Sequence, residues 1–448
     1  MASNWRIYNV AELEKAGLLR VEDGNHGEYR PRPDEFTESG TAFIRAADMD
    51  SGRILFQSAS RINETALARI RKGIGRPGDV LLSSKGTVGK FALAPLNCEP
   101  FVCSPQVTFW RSLDGDFLNY RFLYYYIQSS DFRRQVMARS SESDMAPYIS
   151  LTNQRQFQIA LPEIDEQKAI AHILGTLDDK IELNREMNRT LEAMARAIFK
   201  SWFVDFDPIR AKMEGRLPAG MDAATAELFP SEFEEPELGM IPKGWKISTI
   251  GESVKVVGGG TPSTKNPNYW DGGTIHWTTP KDLASLQSPV LLDTERKITE
   301  QGLKQISSGL LPKGTVLLSS RAPIGYLAIS EVPVAINQGY IAMVCDGQLS
   351  NYYILHWVQQ NMDIIKGRAN GTTFLEISKS NFRPIELIIP ESKILQAFTL
   401  QLEALHQQIV NNLNQSHTLA SIRDTLLPKL LSGEIRVKEA EKLVETVA

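Results

Sequence analysis

The chain has 448 residues, 42% of them hydrophobic and 23% charged, which is typical of a globular protein with two to four domains. Its net charge of −4 excludes a chain that is basic throughout, as many nucleic-acid-binding domains are. No basic start precedes an apolar run and no stretch approaches the ~18 apolar residues of a membrane span, so we expect neither a signal peptide nor a membrane segment. Three cysteines cannot all pair and indicate reduced thiols.

The first half of the chain begins with short predicted strands and helices. Apolar runs between Gly, Pro and Ser predict strands at Val80–Leu82 and Ile159–Leu161. Apolar residues at helical spacing predict a helix over 120–128. The stretch Arg61–Lys90 carries seven basic residues, which indicate either a solvated face or a surface for phosphates, and charge alone does not decide between them.

A long helix is predicted next, because residues 166–203 contain no proline and a single glycine. A rod of ~57 Å is longer than a small domain is wide, which favours packing against a second helix over a helix lying on its own domain. Positions spaced alternately four and three apart form a predicted seam: Ile170, Leu174, Leu177, Ile181, Asn184, Asn188, Leu191, Ala195, Ile198 and Trp202.

The second half of the chain repeats the first. VLLSS occurs at 80–84 and at 316–320, and "RINETALARI" (61–70) aligns with "KITEQGLKQI" (297–306) at the same offset of 236. "NWRIYNVAE" (4–12) matches "GWKISTIGE" (244–252) at offset 240, and "YISLTN" (148–153) matches "EISKSN" (376–381) at offset 228. Offsets that drift while the order is kept indicate a tandem duplication of two domains.

The seam is repeated as well, at an offset of 228. Arg423 weakens the second seam, and Pro428 is expected to stop or bend the helix. Matched seams predict antiparallel pairing, with the shared asparagine fixing the register. The second set is Phe398, Leu402, Leu405, Ile409, Asn412, Ser416, Leu419, Arg423, Leu426 and Leu430.

These patterns predict an α+β fold: a tandem duplication of an α/β domain plus a long helix, the two helices pairing as an antiparallel coiled coil with pseudo-twofold symmetry. Residues 222–239 contain six acidic residues and no basic one. The predicted boundaries are 1–160 for the first globular domain, 161–205 for the central helix, 206–240 for the acidic linker, 241–390 for the second domain and 391–448 for the distal helix and tail.

The motifs resemble a known family. The second copy carries "VVGGGTPSTKNPNYWDGGTIHWTTPKDL" (256–283), "GTVLLSSRAPIG" (314–325) and "LIIP" (387–390); the first carries "GDVLLSSKGTVGK" (78–90) and "IALPEIDEQKAIAHILGTLDDKIELN" (159–184). The chain ends in "LLPKLLSGEI" (426–435), echoed by "IFKSWFVDF" (198–206). Together these are similar to the specificity subunit of type I restriction–modification systems. The first copy lacks the Gly-Gly-Thr-Pro loop and has "EDGNHGEYRPRP" (22–33) near that place.

The resemblance implies that the two globular domains are target recognition domains, each reading one part of a bipartite, asymmetric site in double-stranded DNA. The helices would act as a spacer and as a docking surface for two methyltransferase subunits, and endonuclease or translocase subunits would join. S-adenosylmethionine, ATP and Mg would bind the partners and not this chain, which would work in a prokaryotic cytoplasm without contact to a membrane. Two alternatives remain: a recognition subunit serving one combined methylase–nuclease chain, or a two-ended protein adaptor.

No catalytic or metal-binding motif is predicted. "NPNYW" (266–270) has Asn268 where an adenine methyltransferase loop needs a second proline, and Gly89-Lys90 lacks the other residues of a phosphate loop. The six histidines have no metal-ligand spacing, and His172, His406 and His417 are expected on the surface of the helices. The resemblance accordingly implies a non-catalytic subunit.

Polar and basic loop residues are the candidate DNA contacts, because such side chains read base edges. Lys85 and Arg321 are equivalent positions directly after the repeated strand. For each candidate, a phosphate contact or a solvated side chain is the alternative to base readout. The candidates are Ser84, Lys85, Thr87, Gln106, Gly259, Gly260, Thr261, Ser320, Arg321 and Gln338.

Overall fold

The computed structural model describes residues 5–140, 147–235, 240–371 and 375–445. The strands of the first repeat are β1 (Arg6–Asn9), β2 (Leu19–Asp23), β3 (Phe36–Thr37), β4 (Thr41–Ile44), β5 (Met49–Asp50), β6 (Arg53–Ile54), β7 (Ser60–Ile62), β8 (Val80–Ser83), β9 (Phe91–Leu93), β10 (Phe101–Cys103), β11 (Val107–Ser112) and β12 (Gln158–Leu161). Its helices are α1 (Val10–Lys15), α2 (Glu64–Arg69), α3 (Tyr120–Ile127), α4 (Ser130–Ser140), α5 (Leu151–Arg155) and α6 (Ile164–Phe203).

The second repeat follows the same order. Its strands are β13 (Phe233–Glu234), β14 (Ile241–Pro242), β15 (Lys246–Thr249), β16 (Lys255–Val257), β17 (Ile275–Thr278), β18 (Val290–Leu291), β19 (Arg296–Ile298), β20 (Val316–Ser320), β21 (Ile324–Ser330), β22 (Val334–Ile336), β23 (Tyr340–Val344) and β24 (Glu386–Ile389). Its helices are α7 (Asp207–Met213), α8 (Ala223–Glu227), α9 (Ile250–Ser253), α10 (Pro280–Ala284), α11 (Glu300–Leu303), α12 (Asn351–Gln360), α13 (Met362–Gly367), α14 (Lys379–Phe382), α15 (Ser392–Ser432) and α16 (Val437–Glu445).

The two repeats share one sheet topology. In the first, one sheet has the order β2-β11-β8-β9, a second has β10-β4-β7-β3, and β1 pairs with β12. In the second repeat these become β16-β23-β20-β21-β18, β22-β17-β19 and β15 with β24. One parallel pair corresponds, β10 with β4 and β22 with β17, and the second repeat adds the parallel pair of β18 with β21 at the edge of its first sheet. The predicted tandem duplication of an α/β domain is confirmed.

Matched helix caps show how the same local structure arises from different residues. Asn63 accepts from the backbone N–H of Ala66 at the start of α2, and Thr299, 236 residues later, accepts from Gly302 at the start of α11. Ser150 and Ser378 cap α5 and α14 in the same way. Asn, Ser and Thr are interchangeable here because each places one oxygen over the free N–H groups of the first helical turn.

The described chain forms two compact units, and neither of them is one repeat. The first unit contains the residues up to Glu182 together with those from Ser416 onwards, and the second contains Leu183–Gln415. Each long helix therefore contributes its first part to one unit and its last part to the other.

The core of the first unit depends on the end of the chain. Trp110 and the α3 side chains pack in one cluster with the first part of α6. Leu419, Leu426 and Leu430 of α15 and Ala440 of α16 complete that cluster, each at most 3% exposed. Asp178 of α6 accepts hydrogen bonds from Tyr125 Oη, at 2.7 Å, and from Arg423 Nη1, at 2.6 Å. Arg423 thus keeps its charge inside the seam by pairing with Asp178.

The second unit repeats this arrangement with the end of α6. Phe199, Trp202 and Phe203 of α6 pack against Phe398 of α15 and Tyr353 of α12. Ile209 of α7 is fully buried in the same cluster. Burial of each such side chain contributes roughly 1.5–3 kcal/mol, so the helix end is held firmly in this core.

Buried amides connect the two helices within the second unit. Asn412 Nδ2 donates to Asn188 Oδ1 at 2.8 Å, and Asn184 Nδ2 donates to Gln415 Oε1 at 2.9 Å. Asn184 of α6 contacts residues 412 and 415 of α15, whereas Trp202, further along α6, contacts Phe398. Contacts therefore move to lower numbers on α15 as they move to higher numbers on α6. The helices are antiparallel, as predicted.

Most residues of the predicted seam are inaccessible to solvent. Leu191, Ile198 and Leu405 are half-buried. The structure buries Ile170, Leu174, Leu177, Ile181, Asn184, Asn188, Ala195, Trp202, Phe398, Leu402, Ile409, Asn412, Leu419, Leu426 and Leu430.

The helix α15 does not stop at Pro428 but continues to Ser432, because Leu426 and Leu430 anchor its last turns in the core while Pro428 faces solvent. The expectation about His406 is wrong. His406 is not on the surface: it is 8% exposed, its Nε2 lies 2.7 Å from Glu331 Oε1, and its ring packs on Tyr352. The hydrogen bond from His406 and the ammonium of Lys313 lower the pKa of Glu331 against the effect of its burial.

The stretch predicted as an acidic linker is folded over its described residues. It contains α7, α8 and β13, which pairs with β14 just after it, and Phe229 is 2% exposed in the core of the second unit. Lys243 pairs with Glu232, so part of the acidic charge is neutralised locally. Glu237, one of the six acids, lies outside the described residues.

The buried amides predict an asymmetric response to mutation. Asn188→Ala removes the buried hydrogen bond from Asn412 Nδ2 to Asn188 Oδ1, so we expect the free energy of unfolding to fall by ~1–3 kcal/mol. Replacing both partners, in Asn188→Leu/Asn412→Leu, removes the buried polar pair and should restore most of this loss. Denaturant unfolding measures both; Thr190→Ala on the exposed face of α6 is the control, expected within ~0.5 kcal/mol of wild type. Equal losses in single and double variants would contradict the prediction.

Candidate nucleic-acid interface

The repeated strand ends at the same backbone construction in both units. After β8, Lys85 pairs with Tyr148, and the Ser84 carbonyl accepts from Ile149 N–H at 2.8 Å. After β20, Arg321 pairs with Glu376, and the Ser320 carbonyl accepts from Ile377 N–H at 3.0 Å. The segments aligned in the sequence at 148–153 and 376–381 thus hold the two equivalent loops from the same side.

In each unit a second loop, at Gly259-Gly260 and at Gly24-Asn25, lies very close to the backbone of another segment. The Gly260 N–H donates to the Ile336 carbonyl at 2.9 Å, and a Cβ on Gly259 would lie 2.0 Å from that oxygen, so only glycine fits. In the first unit Asn25 N–H donates to the Cys103 carbonyl at 2.7 Å, and a Cβ on Gly24 would lie 1.8 Å from the Ser104 carbonyl. Although "EDGNHGEYRPRP" lacks the Gly-Gly-Thr-Pro motif, its Gly24-Asn25 step has the same backbone role.

Two of the candidate contacts are not accessible to a ligand. Ser84 is 1% exposed and Ser320 is 3% exposed. Their backbone N–H groups donate to the carbonyls of Gln106 and Gly339, both at 2.8 Å. Their place in the strand-to-loop turn requires a small side chain facing the core, so these two serines are structural.

The remaining candidates lie at the surface. Lys85, Thr87 and Gln106 are exposed in the first unit. In the second, Thr261 Oγ1 donates to Gln338 Oε1 at 2.5 Å, which ties the Gly259–Thr261 loop to the loop after β22. Each unit therefore presents a polar surface formed by two loops from different parts of the sheet.

The two equivalent basic residues differ in their surroundings. Arg321 Nη1 lies 3.5 Å from Glu376 Oε2, with both side chains close to half exposed. Lys85 forms no ion pair with any residue in the described part of the chain, and its neighbour in the equivalent position is Tyr148. Burial raises the pKa of Tyr148, and the charge of Asp23 acts in the same direction.

Much of the basic run at 61–90 has a structural role. The Arg61 guanidinium binds Glu99 and the Phe56 carbonyl, and that of Arg69 binds Glu35 and the Arg30 carbonyl. Lys90 Nζ donates to the carbonyls of Ala46 and Met49. Three of the seven basic side chains of this run are therefore engaged by the fold, whereas Arg71, Lys72, Arg76 and Lys85 are exposed.

Two tryptophans that the sequence does not identify as functional support the glycine loop of the second unit. Trp277 Nε1 donates to the Gly260 carbonyl at 3.2 Å, and Trp270 Nε1 donates to the Ser263 carbonyl at 3.0 Å. Their rings meet edge to face, with centroids 5.0 Å apart. The sequence prediction also omits Arg296, which packs on both rings. Its alignment with Ser60 at offset 236 shows that the two repeats differ at this position, and this difference could have identified Arg296 as a candidate.

The described residues offer no metal centre, since they contain no group of three His, Cys, Asp or Glu side chains with suitable geometry. Over the same residues, no helix combines the length and the apolar character needed to cross a membrane.

Comparisons with known proteins agree with this construction. The model of the type I restriction modification DNA specificity domain matches the chain twice, at residues 22–193 and 242–416. The HindI specificity subunit of Haemophilus influenzae is 25% identical over 97% of this chain and 100% of its own length. The MjaIX specificity subunit of Methanocaldococcus jannaschii is 39% identical over 43% of this chain and 45% of its own.

A solved structure shares the fold. The type I restriction–modification S subunit from M. genitalium superposes with a TM-score of 0.55 at 16% identity, covering 95% of this chain and 96% of that one. The chain therefore belongs to the type I restriction–modification DNA specificity family, and it is a non-catalytic specificity subunit with two target recognition domains.

Proposed function

We propose that the two units read the two parts of a bipartite, asymmetric DNA site through the loop surfaces described above. Residues 1–160 and 241–390 are assigned to the recognition domains, and the paired helices, at 161–205 and 391–448, to a spacer that sets the distance between the half-sites. Residues 206–240 connect them.

One observation carries this proposal: equivalent loops have the same backbone construction and different side chains. Lys85 and Arg321 occupy equivalent positions, as do Tyr148 and Glu376. Asn25 occupies the position of Gly260. Since the backbone places the loops and side chains read the bases, two copies of one frame with different side chains suit two different half-sites.

The partners in this proposal are double-stranded DNA and two methyltransferase subunits, joined by endonuclease or translocase subunits. S-adenosylmethionine, ATP and Mg belong to those partners. The compartment is the prokaryotic cytoplasm, because the DNA substrate is there.

The outer face of α6 supports the docking of a methyltransferase subunit. Leu183 is 48% exposed and Met194 is 47% exposed. They are eleven residues apart, about three helical turns, so both lie on one face. On α15, Leu400 is 69% exposed. We infer that these exposed apolar side chains form part of the surface that the methyltransferase subunit covers.

Sequencing of methylated bases in a host that expresses this chain with its methyltransferase partner tests the proposal. We expect one motif made of two different half-sites separated by a constant number of unspecified base pairs. Methylation without such a motif would contradict it. Partner binding without salt-dependent DNA binding would indicate a protein adaptor, and co-purification of a single chain with both activities would indicate a combined methylase–nuclease system.

Substitution of the equivalent basic residues tests the loop surfaces. Lys85→Ala should weaken DNA binding by the partner-bound complex and reduce the salt dependence, the slope of log K against log salt, by about one unit if Lys85 binds phosphate. Arg321→Ala should have the smaller effect on overall affinity, because Glu376 already offsets part of its charge. Binding titrations at several salt concentrations measure both. Lys246→Ala, an exposed lysine on β15, is the control; loss of partner binding in either variant would contradict the assignment.

Substitution on α6 tests the docking face. Leu183→Lys/Met194→Lys should reduce the affinity for the methyltransferase subunit at least about tenfold, because two lysines would be buried against the partner. Leu310→Lys, at a side chain of similar exposure in a loop before β20, is the matched control. Co-purification and titration calorimetry measure the effect. Unchanged affinity in the double variant would place the docking face elsewhere.

A further inference from the structure

An arginine of the second unit is held flat on an aromatic ring beside the glycine loop. The Arg296 Cζ atom lies 3.5 Å from the centroid of the Trp270 ring and 5.5 Å from that of Trp277. Arg296 is the first residue of β19 and is exposed, whereas Trp277 is 3% exposed. A planar guanidinium stacked in this way keeps its N–H edges available for a ligand.

Nearby carboxylates are paired with other cations. Glu295 Oε2 lies 2.8 Å from Lys281 Nζ, and Asp293 Oδ1 lies 3.0 Å from His276 Nδ1 and 3.4 Å from Lys297 Nζ. Among the described residues, Arg296 has no acidic partner within 4.0 Å. Its charge is therefore oriented by the rings alone.

The stack is coupled to the glycine loop through the same two rings. Trp277 Nε1 holds the Gly260 carbonyl and Trp270 Nε1 holds the Ser263 carbonyl. Thr261 lies between these two anchor points and is bonded to Gln338. Arg296 and the Gly259–Thr261 loop are consequently positioned by one rigid aromatic pair.

At the equivalent position of the first unit, the described residues contain no arginine stacked on a tryptophan. Trp277 pairs with Arg296 across β17 and β19, and the equivalent pair across β4 and β7 is Phe43 with Ser60. The next residue, Arg61, is engaged by Glu99. An oriented arginine at this position belongs to the second unit only.

We propose that Arg296 is a specificity-determining residue of the second recognition domain, which reads a guanine in its half-site through the two N–H groups at the free edge of its guanidinium. Arginine is the side chain whose paired donors match the O6 and N7 acceptors of guanine in the major groove. This inference rests on the proposed function and adds to it the residue and the base for one position.

The test uses the full complex with its methyltransferase partner and duplexes varied at each position of the methylated motif. Arg296→Ala should abolish the preference for guanine at one position of one half-site, a loss of roughly 5- to 150-fold in discrimination. Arg296→Lys should keep the overall affinity and lose the preference, because the ammonium has charge without the planar pair of donors. Lys246→Ala, at an exposed lysine of β15, is the control and should leave every position unchanged.

The outcomes separate this inference from the function on which it rests. Thermal unfolding of each variant complex checks that the loop remains folded, and Arg296→Lys keeps the test open if Arg296→Ala does not fold. Even weakening on all duplexes would show a phosphate contact and overturn the inference, as would an unchanged motif in both variants. A wild-type complex that methylates no bipartite motif would instead overturn the proposed function.

Discussion

The structure depends on one constraint: neither repeat closes its own hydrophobic core. The cluster around Trp110 in the first unit is completed by Leu426 and Leu430 from the end of the second repeat. The cluster around Phe398 in the second unit is completed by Phe199 and Trp202 from the end of the first. Each long helix is therefore part of both cores.

The register of the helices is specified by polar groups within an apolar seam. Asn188 and Asn412 are 3% exposed and bonded to each other, so any shift along the helices would leave buried amides unpaired. Asp178 has a comparable role in the first unit, where Tyr125 and Arg423 both donate to it. An entirely apolar seam would bury as much surface with less discrimination between registers.

The two repeats share a backbone frame but differ in the side chains that the frame presents. Backbone contacts are shared, as in Gly24 and Gly259, whose Cβ positions are blocked by carbonyl oxygens. Side chains on the same frame differ, as in Ser60 and Arg296 or Phe43 and Trp277. The frame can therefore remain constant while each surface acquires its own residues, which is the property needed to read an asymmetric site.

Sequence alone determined the features that depend on local pattern. The repeat, the two heptad seams, the antiparallel pairing and the strands at Val80 and Ile159 follow from periodicity and offset, because these patterns are short-range consequences of helix and strand geometry. The family resemblance rests on motifs of the same kind.

Only the tertiary structure decided which side chains are accessible and what they contact. Ser84 and Ser320 face the core, His406 is buried beside Glu331, and Pro428 is carried within α15 by the packing of its neighbours. Arg296 reaches Trp270 across 26 positions of chain, and Leu426 enters a core made of residues more than 200 positions earlier. Such contacts have no periodic signature in the sequence, because they arise where distant segments meet in the folded chain.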